Sequence, residues 1–273
     1  MRVLLLSTAA VLGWTAAFPF VCPAQDSPAL TREQMEEFLR TAEVLKFKQT
    51  SKGVTGTMQA TLMDKTTGFK HDACIQCIDE KKPLFQGDKG TELNFRDTYK
   101  HNIAAYKLAL MLGLDMVPPT VERRWGGKTC SFVWWVDDLL MDEGDRAKRK
   151  ITPPDDHYWK CQLSIVHVFD ELIHNVDRNV GNILFTKTWR LWMIDHSRAF
   201  RLLPTLRNPG NLKMCERSLL ARMKLLDEET LKKEMRPYMA DGEIKALLKR
   251  RDVIVKFFED KGDSALYTFA AAQ

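Results

Sequence analysis

Apolar and polar positions alternate along the first half of the chain and recur at helical spacing along much of the second. Residues 42–50 read AEVLKFKQT, with Val44, Leu45 and Phe47 as the apolar positions, and predict a strand. The break Ser51-Lys52-Gly53-Val54-Thr55-Gly56 ends it. A second run covers residues 57–63, and a turn at Thr66-Thr67-Gly68 leads into a third over 69–78. Three consecutive strands with a glycine-bearing turn between the first two predict a β-meander. Ahead of it, Thr31-Arg32-Glu33-Gln34 carries a capping signal for a short helix. Behind it, a helix is expected from about residue 95 to 112, with Tyr99, Ile103, Tyr106 and Leu110 on one face and Gly113 as its stop.

Two further strands are expected at 120–125 and 128–136, joined at Gly126-Gly127. The second carries Phe132, Val133, Trp134, Trp135 and Val136 and empties into Asp137-Asp138, as a hinge between two lobes would. Residues 137–156 shift to charged composition and end in Pro153-Pro154, the character of an exposed insert or linker. A strong helix follows, capped by Asp155 or Asp156, with Trp159, Leu163, Val166, Phe169 and Ile173 at spacings of four, three, three and four. Residues 175–200 then read as loop, strand, turn and strand. Residues 201–213 are irregular, and helices are expected at 216–226, 228–235 and 241–260.

Composition narrows the class. With 28% charged and 45% hydrophobic residues over 273 positions, disorder is excluded and the chain can bury a sizeable core. A net charge of +5 from 41 basic and 36 acidic residues is too even for a nucleic-acid partner to be expected. Met1-Arg2, the apolar run VLLLSTAAVLGWTAAF and a small residue at Ala24 have the layout of a cleaved export signal over residues 1–24. No stable membrane span is expected once it is removed. Five cysteines then remain: Cys74, Cys77, Cys130, Cys161 and Cys215. Cys74 and Cys77 have half-site spacing for zinc, but no second pair completes it, and in a strand they point to opposite faces. Buried thiols, or one disulfide of open pairing, are the expected fates.

The chemistry concentrates in 175–200. Asp177 is followed five positions later by Asn182, both leading into a strand, and Asp195 closes the next strand. Phosphoryl transfer uses such a set: one carboxylate orients the attacking hydroxyl, while an amide and a second carboxylate hold magnesium on the phosphates. The motifs D-R-N-V-G-N-I-L and W-M-I-D-H-S resemble the catalytic and metal-binding loops of the phosphatidylinositol 3- and 4-kinases and, more broadly, of atypical protein-kinase-like folds, here as a secreted, bacterial-type member. Asn179 stands where those lipid kinases have His, and His196-Ser197 where they have Phe-Gly. No A-P-E motif follows, which argues against the ordinary eukaryotic protein kinases.

The resemblance implies an α+β, two-lobed protein-kinase-like fold, with a small antiparallel sheet lobe and a larger helical lobe. With the signal peptide read at 1–24 and an N-terminal extension at 25–41, it implies an N-lobe at 42–136, a hinge and insert at 137–156 and a C-lobe at 157–273. ATP with Mg2+ or Mn2+ would occupy the cleft. Asp177 would be the base or orienting group, and Asn182 and Asp195 the metal ligands. Gly53, Thr55 and Gly56 of the first turn, together with Gln76, would contact the nucleotide. Such kinases carry a lysine on the third strand and a glutamate on the following helix, but here Gln76 and Asn102 occupy those places. Three consequences stay open. Lys70, Lys81, Lys82 or a lysine of the first strand replaces the missing cation; the amides hold the nucleotide in another orientation; or the chain binds without transferring, as pseudokinases do. The acceptor, whether protein, lipid or small molecule, is not read from these motifs.

Overall fold

The capping signal at Thr31 starts helix α1 (Arg32–Thr41): Thr31 Oγ1 accepts from the Gln34 N–H at 3.3 Å, and Gln34 Oε1 accepts from the Thr31 N–H at 2.8 Å. The computed structural model describes residues 30–50, 56–87 and 90–269. Those from Thr31 on belong to one compact unit. The expected export signal, and Gly53 and Thr55 of the first turn, lie outside the described residues.

Five strands make the smaller lobe: β1 (Glu43–Gln49), β2 (Met58–Met63), β3 (Lys70–Gln76), β6 (Thr120–Trp125) and β7 (Lys128–Trp134), in the antiparallel order β1-β2-β3-β7-β6. Register decides what each face carries. Ala60 lies opposite Ala73, which lies opposite Trp134, and Met58 lies opposite Ile75, which lies opposite Phe132; Ala60, Ala73, Ile75, Phe132 and Trp134 are buried. Phe38 of α1 covers this face, edge-on to Phe69 and Trp134. The other face carries Lys46 and Lys48 of β1, Gln59 and Thr61 of β2, and Asp72, Cys74 and Gln76 of β3. One residue beyond the β3–β7 pairing, Cys77 and Cys130 form a disulfide, which resolves the open pairing; Cys74, Cys161 and Cys215 are free thiols.

Between β3 and the next helix the chain forms a long hairpin, β4 (Asp79–Gly87) and β5 (Gly90–Thr98), which the sequence pattern did not predict. Its Leu84 and Leu93 are exposed, so no alternation of burial marks it. Helix α2 (Tyr99–Met111) therefore starts four residues later than expected. Thr98 caps it, its Oγ1 accepting from the Lys100 N–H at 3.2 Å, while Phe95 is a buried strand residue stacked on Phe85. Helix α2 is buried almost all round, from Tyr99 and His101 to Leu108 and Ala109, as expected of a helix packed on both sides.

The larger lobe begins within the stretch read as an exposed insert. Leu139–Asp142 is a strand, β8, and Glu143–Arg149 a short helix, α3. Strand β8 pairs with β9 (Ile183–Thr186), which pairs with β10 (Leu191–Met193). Only the segment after Lys150 has the irregular character that the prolines implied. Helix α4 (Asp156–Ile173) is capped by Asp155 and runs through the core, with Phe169, Leu172 and Ile173 fully buried. Behind it pack α5 (Arg217–Lys224), α6 (Glu228–Met235) and α7 (Asp241–Lys261), as the periodicity predicts. Arg250 of α7 is fully buried and donates to the carbonyls of Leu172, Arg201 and Leu203, tying the irregular segment after Phe200 to the core.

Helix α4 ends at His174, whose φ of 48° is left-handed and whose Nδ1 lies 3.1 Å from the Thr205 carbonyl. Burial, reinforced by the Arg250 charge, holds its imidazole down to about 4. The unfolded chain takes up this proton near 6.5 and the folded one does not. Stability is therefore whole above pH 6.5 and drains as pH falls toward 4, by roughly 3 kcal/mol. His174→Asn, which tolerates the left-handed turn, should flatten that part of the profile. Urea midpoints at pH 7 and pH 4.5 read the difference, and parallel curves for the two proteins would refute it.

Candidate active site

The left-handed end of α4 releases the chain into a loop that its own polar groups shape. Asn175 Oδ1 accepts from the Asp177 N–H at 3.0 Å, and Asn179 Oδ1 accepts from the Gly181 N–H at 2.9 Å to start the 3-10 turn Val180–Asn182. Asn182 Nδ2 reaches the Asp177 carbonyl at 3.5 Å, leaving Oδ1 as the atom able to face a cation. The Asn182 carbonyl accepts from the Ile194 N–H at 3.1 Å. That bond sets the loop beside Asp195, at the end of β10.

Arg178 fastens the two loops together. Its Nε and Nη2 donate to Asp170 of α4 at 2.9 and 3.1 Å, its Nη1 donates to the carbonyls of Asn182 at 3.0 Å and Ile194 at 2.6 Å, and Nη2 also meets His196 Nε2 at 2.9 Å. His196 is buried and held well below the ordinary histidine range by burial and the Arg178 charge, so its ring is neutral and can accept that bond. Asp195 itself has φ of 55°, a left-handed conformation that Asp tolerates better than most residues. Its side chain opens to the cleft, yet the surrounding protein strips its hydration and raises its carboxyl. Ser197 and Arg178 oppose that rise, and the Asp177 charge adds to it. The loop of Asp177 and Asn182 thus lies beside Asp195, whose carboxyl feels the Asp177 charge.

Above them, Gln76 and Asn102 are paired. Asn102 Nδ2 donates to Gln76 Oε1 at 2.5 Å, and both side chains are buried. Asn102 Oδ1 accepts from the backbone N–H of His196 at 2.7 Å. The amides therefore link β3, α2 and the loop after β10 without charge, where a lysine–glutamate pair would do so with two charges. Two neutral amides avoid the penalty that a lone buried ion incurs.

The sheet face over these loops is polar. Asp72 accepts from Gln59 Nε2 at 2.7 Å and from Thr61 Oγ1 at 2.6 Å, and a cavity of about 170 Å3 is lined by these three with Lys46, Phe47 and Lys48. Cys74 lies on the same face, its thiol pushed up to about 12 by burial and then by the Asp195 charge, so it is protonated. Of the lysines weighed as substitutes for the missing cation, Lys82 pairs with Glu80 on the hairpin, whereas Lys46 and Lys48 point along the cleft face. Gly56, with φ of 68°, is an exposed turn residue at the start of β2. At the hinge, His71 stacks on Trp134, and Asp137 meets His71 Nε2 at 2.8 Å and accepts from Trp134 Nε1 at 3.1 Å. A second cavity of about 300 Å3 opens there between Thr61, Lys70, His71, Asp72, Trp135 and Asp137.

Four contributors to the site escaped the sequence pattern. Asp97 ends β5 and is buried, its carboxyl pushed up to about 6 by burial first, with the Asp195 and Asp177 charges adding to the shift. Ser197 hydrogen-bonds both Asp97 and Asp195. Arg198 reaches to 3.8 Å from the Asp177 carboxylate and pairs with Glu92 of the hairpin, which also pairs with Arg201. Placing the helix start at 95 hid Asp97 inside a helix, and an unrecognised hairpin hid Glu92. Among the described residues, no group of three or more His, Cys, Asp or Glu side chains is arranged to hold a metal by itself, and no helix is long and apolar enough to cross a membrane. Asn182 and Asp195 offer oxygen donors only, which would suit a hard divalent cation.

No family model matches the chain, and no curated protein matches it. Solved structures do. The chain is similar to hydra Fam20 with sugar at 13% identity, over 86% of this chain and 92% of that one, with a TM-score of 0.64. It is similar to the Golgi casein kinase with Mn/ADP bound at 13% identity, over 88% and 80%, with a TM-score of 0.59. It is also similar to the Helicobacter pylori proinflammatory kinase CtkA at 13% identity, over 81% and 95%, with a TM-score of 0.50. At such identities the likeness shows the fold, which is the two-lobed, atypical kinase-like one. The phosphatidylinositol-kinase likeness rests on the loop motifs alone.

Proposed function

We propose that this chain is an ATP-dependent phosphotransferase, using Mg2+ or Mn2+, that acts on a hydroxyl acceptor. The observation that carries the reading is Arg178, which binds the loop of Asp177 and Asn182 to the strand of Asp195 inside a kinase-like fold. Asp177 accepts the proton of the acceptor hydroxyl as its oxygen attacks the γ-phosphorus; the bond from that phosphorus to the bridging oxygen breaks, and ADP leaves with the electron pair. Asn182 and Asp195 would hold the metal, which when bound neutralises charge on the phosphates. Lys46 and Lys48 are the basic residues of the roof that would face the phosphates. Residues 42–136 act as the smaller lobe and the chain from β8 onward as the larger one, and Gly56 would sit over the nucleotide.

The kinase names borne by fold neighbours, one of them with Mn/ADP bound, support this chemistry without identifying an acceptor. Protein, lipid and small-molecule acceptors all fit, and the D-R-x-x-x-N and I-D motifs shared with phosphatidylinositol kinases bear on mechanism rather than on a lipid head group. We place the activity in an exported compartment: the leader-like residues 1–24 call for it, and the Cys77–Cys130 disulfide suits an oxidising one.

A second reading has its own support. The uncharged Gln76–Asn102 pair suits a nucleotide- or protein-binding pseudokinase. Transfer of labelled γ-phosphate to a mixed acceptor panel, with and without Mg2+ or Mn2+, separates the two. Metal-dependent transfer by the wild type that falls at least ~100-fold in Asp177→Asn is expected. ADP binding with no transfer by any acceptor would favour the pseudokinase.

A further inference from the structure

We propose that Asp97 is a metal-binding carboxylate of this site, taking with Asp195 the cation that accompanies the nucleotide. The inference rests on the nucleotide-and-metal reading of the cleft and adds to it a residue that no motif contains.

The backbone brings Asp97 to the metal loop. The N–H of Thr98 donates to the Ser197 carbonyl at 3.0 Å, so the end of β5 is bonded to the segment that follows Asp195. The Ser197 hydroxyl then lies between two acids, hydrogen-bonded to both Asp97 and Asp195. Asp97 is 2% exposed, and its Oδ1 is buried with no hydrogen-bond partner among the described residues. A buried carboxylate oxygen without a donor is costly, and a cation would satisfy it.

Arg198 and Arg201 both act on the Asp97 charge, but neither is dedicated to it. Arg178 is committed to Asp170, to two carbonyls and to His196, and Arg198 pairs with Glu92 while reaching Asp177. Asn102, five residues further on, turns its amide to Gln76 and to the His196 N–H and adds no charge. Asp97, Asp177, Asp195 and Glu92 are thus four acids sharing the guanidiniums of Arg198 and Arg201, while Arg178 is paired with Asp170. All-oxygen donors of this kind match Mg2+ or Mn2+ rather than zinc or copper.

Mn2+ binding in the presence of ADP, followed by loss of the free-ion electron paramagnetic resonance signal, tests the assignment on the purified chain. Wild type, Asp97→Asn and Asp195→Asn are compared, with melting curves to establish folding. The expected result is that Asp97→Asn weakens Mn2+ at least ~10-fold, while metal-free ADP binding stays within about twofold. Mn2+ affinity unchanged in Asp97→Asn but lost in Asp195→Asn would overturn the assignment and leave the phosphotransferase reading standing. A wild type that binds no Mn2+ with ADP would overturn both. If Asp97→Asn does not fold, Asp97→Ser, whose smaller side chain leaves room for water, takes its place under the same criteria.

Discussion

Asp195→Asn is expected to abolish the proposed phosphoryl transfer, by at least about a thousandfold, while leaving the folded protein no less stable than the wild type at pH 7.5. The two halves of that expectation come from the same geometry. Asn tolerates the φ of 55° at this position and keeps the side chain's shape, so the loop has no reason to rearrange. What it removes is one negative charge whose field Asp97 feels and which itself feels Asp177. The Asp195 carboxyl is held above its usual range, chiefly by burial. An acid raised in the fold costs stability once pH passes its unfolded value, because the unfolded chain ionises more readily; deleting the charge lifts that cost at neutral pH. Activity and melting temperature should therefore move independently. Transfer assays and thermal melts on the same preparation read both, and full activity in the variant would remove Asp195 from the site.

Arg178→Ala is expected to damage fold and function together. It deletes every bond by which one guanidinium holds α4, the loop of Asn182, the chain at Ile194 and His196 in register. It also strands Asp170, whose side chain is 13% exposed, without its bidentate partner. Breaking a pair of this burial from one side costs roughly 3–5 kcal/mol. Arg178→Lys should recover less than half of it, since an ammonium cannot reproduce the planar fork that spans these acceptors. Urea unfolding gives the magnitude. A double-mutant cycle with Asp170→Ala isolates the pair: the double variant should be clearly more stable than the sum of the single losses, and simple additivity would mean that the pair is not coupled.

Much of this architecture was legible before any coordinates. Residues 156–173 and 241–261 repeat apolar positions at helical spacing because each has one core-facing side or more, and the strands of the smaller lobe alternate because one face meets Phe38 while the other meets the cleft. The loop acids were legible for a different reason: Asp177, Asn182 and Asp195 lie within one short stretch, so their spacing is local. The hairpin over Asp79–Thr98 was not, since its exposed Leu84 and Leu93 leave no burial pattern to detect. With it went Glu92, Asp97 and the true start of α2. The stretch read as an exposed insert hid β8 for a related reason, because a strand of four residues is too short for its alternation to stand out from charged flanks.

Local order along the chain thus dictated most of the helices and the strands of the smaller lobe, and which residues are candidates for the chemistry, because side-chain periodicity and motif spacing are properties of near neighbours. Partnership belonged to the tertiary structure. The Asn102 amide finds the His196 N–H across 94 positions, Arg198 finds Glu92 across 106, and Cys77 finds Cys130 across 53. No periodic pattern encodes such meetings; they arise when sheet register and helix packing bring distant backbone together, and burial then decides which carboxylate is raised, which histidine stays neutral and which oxygen is left without a donor.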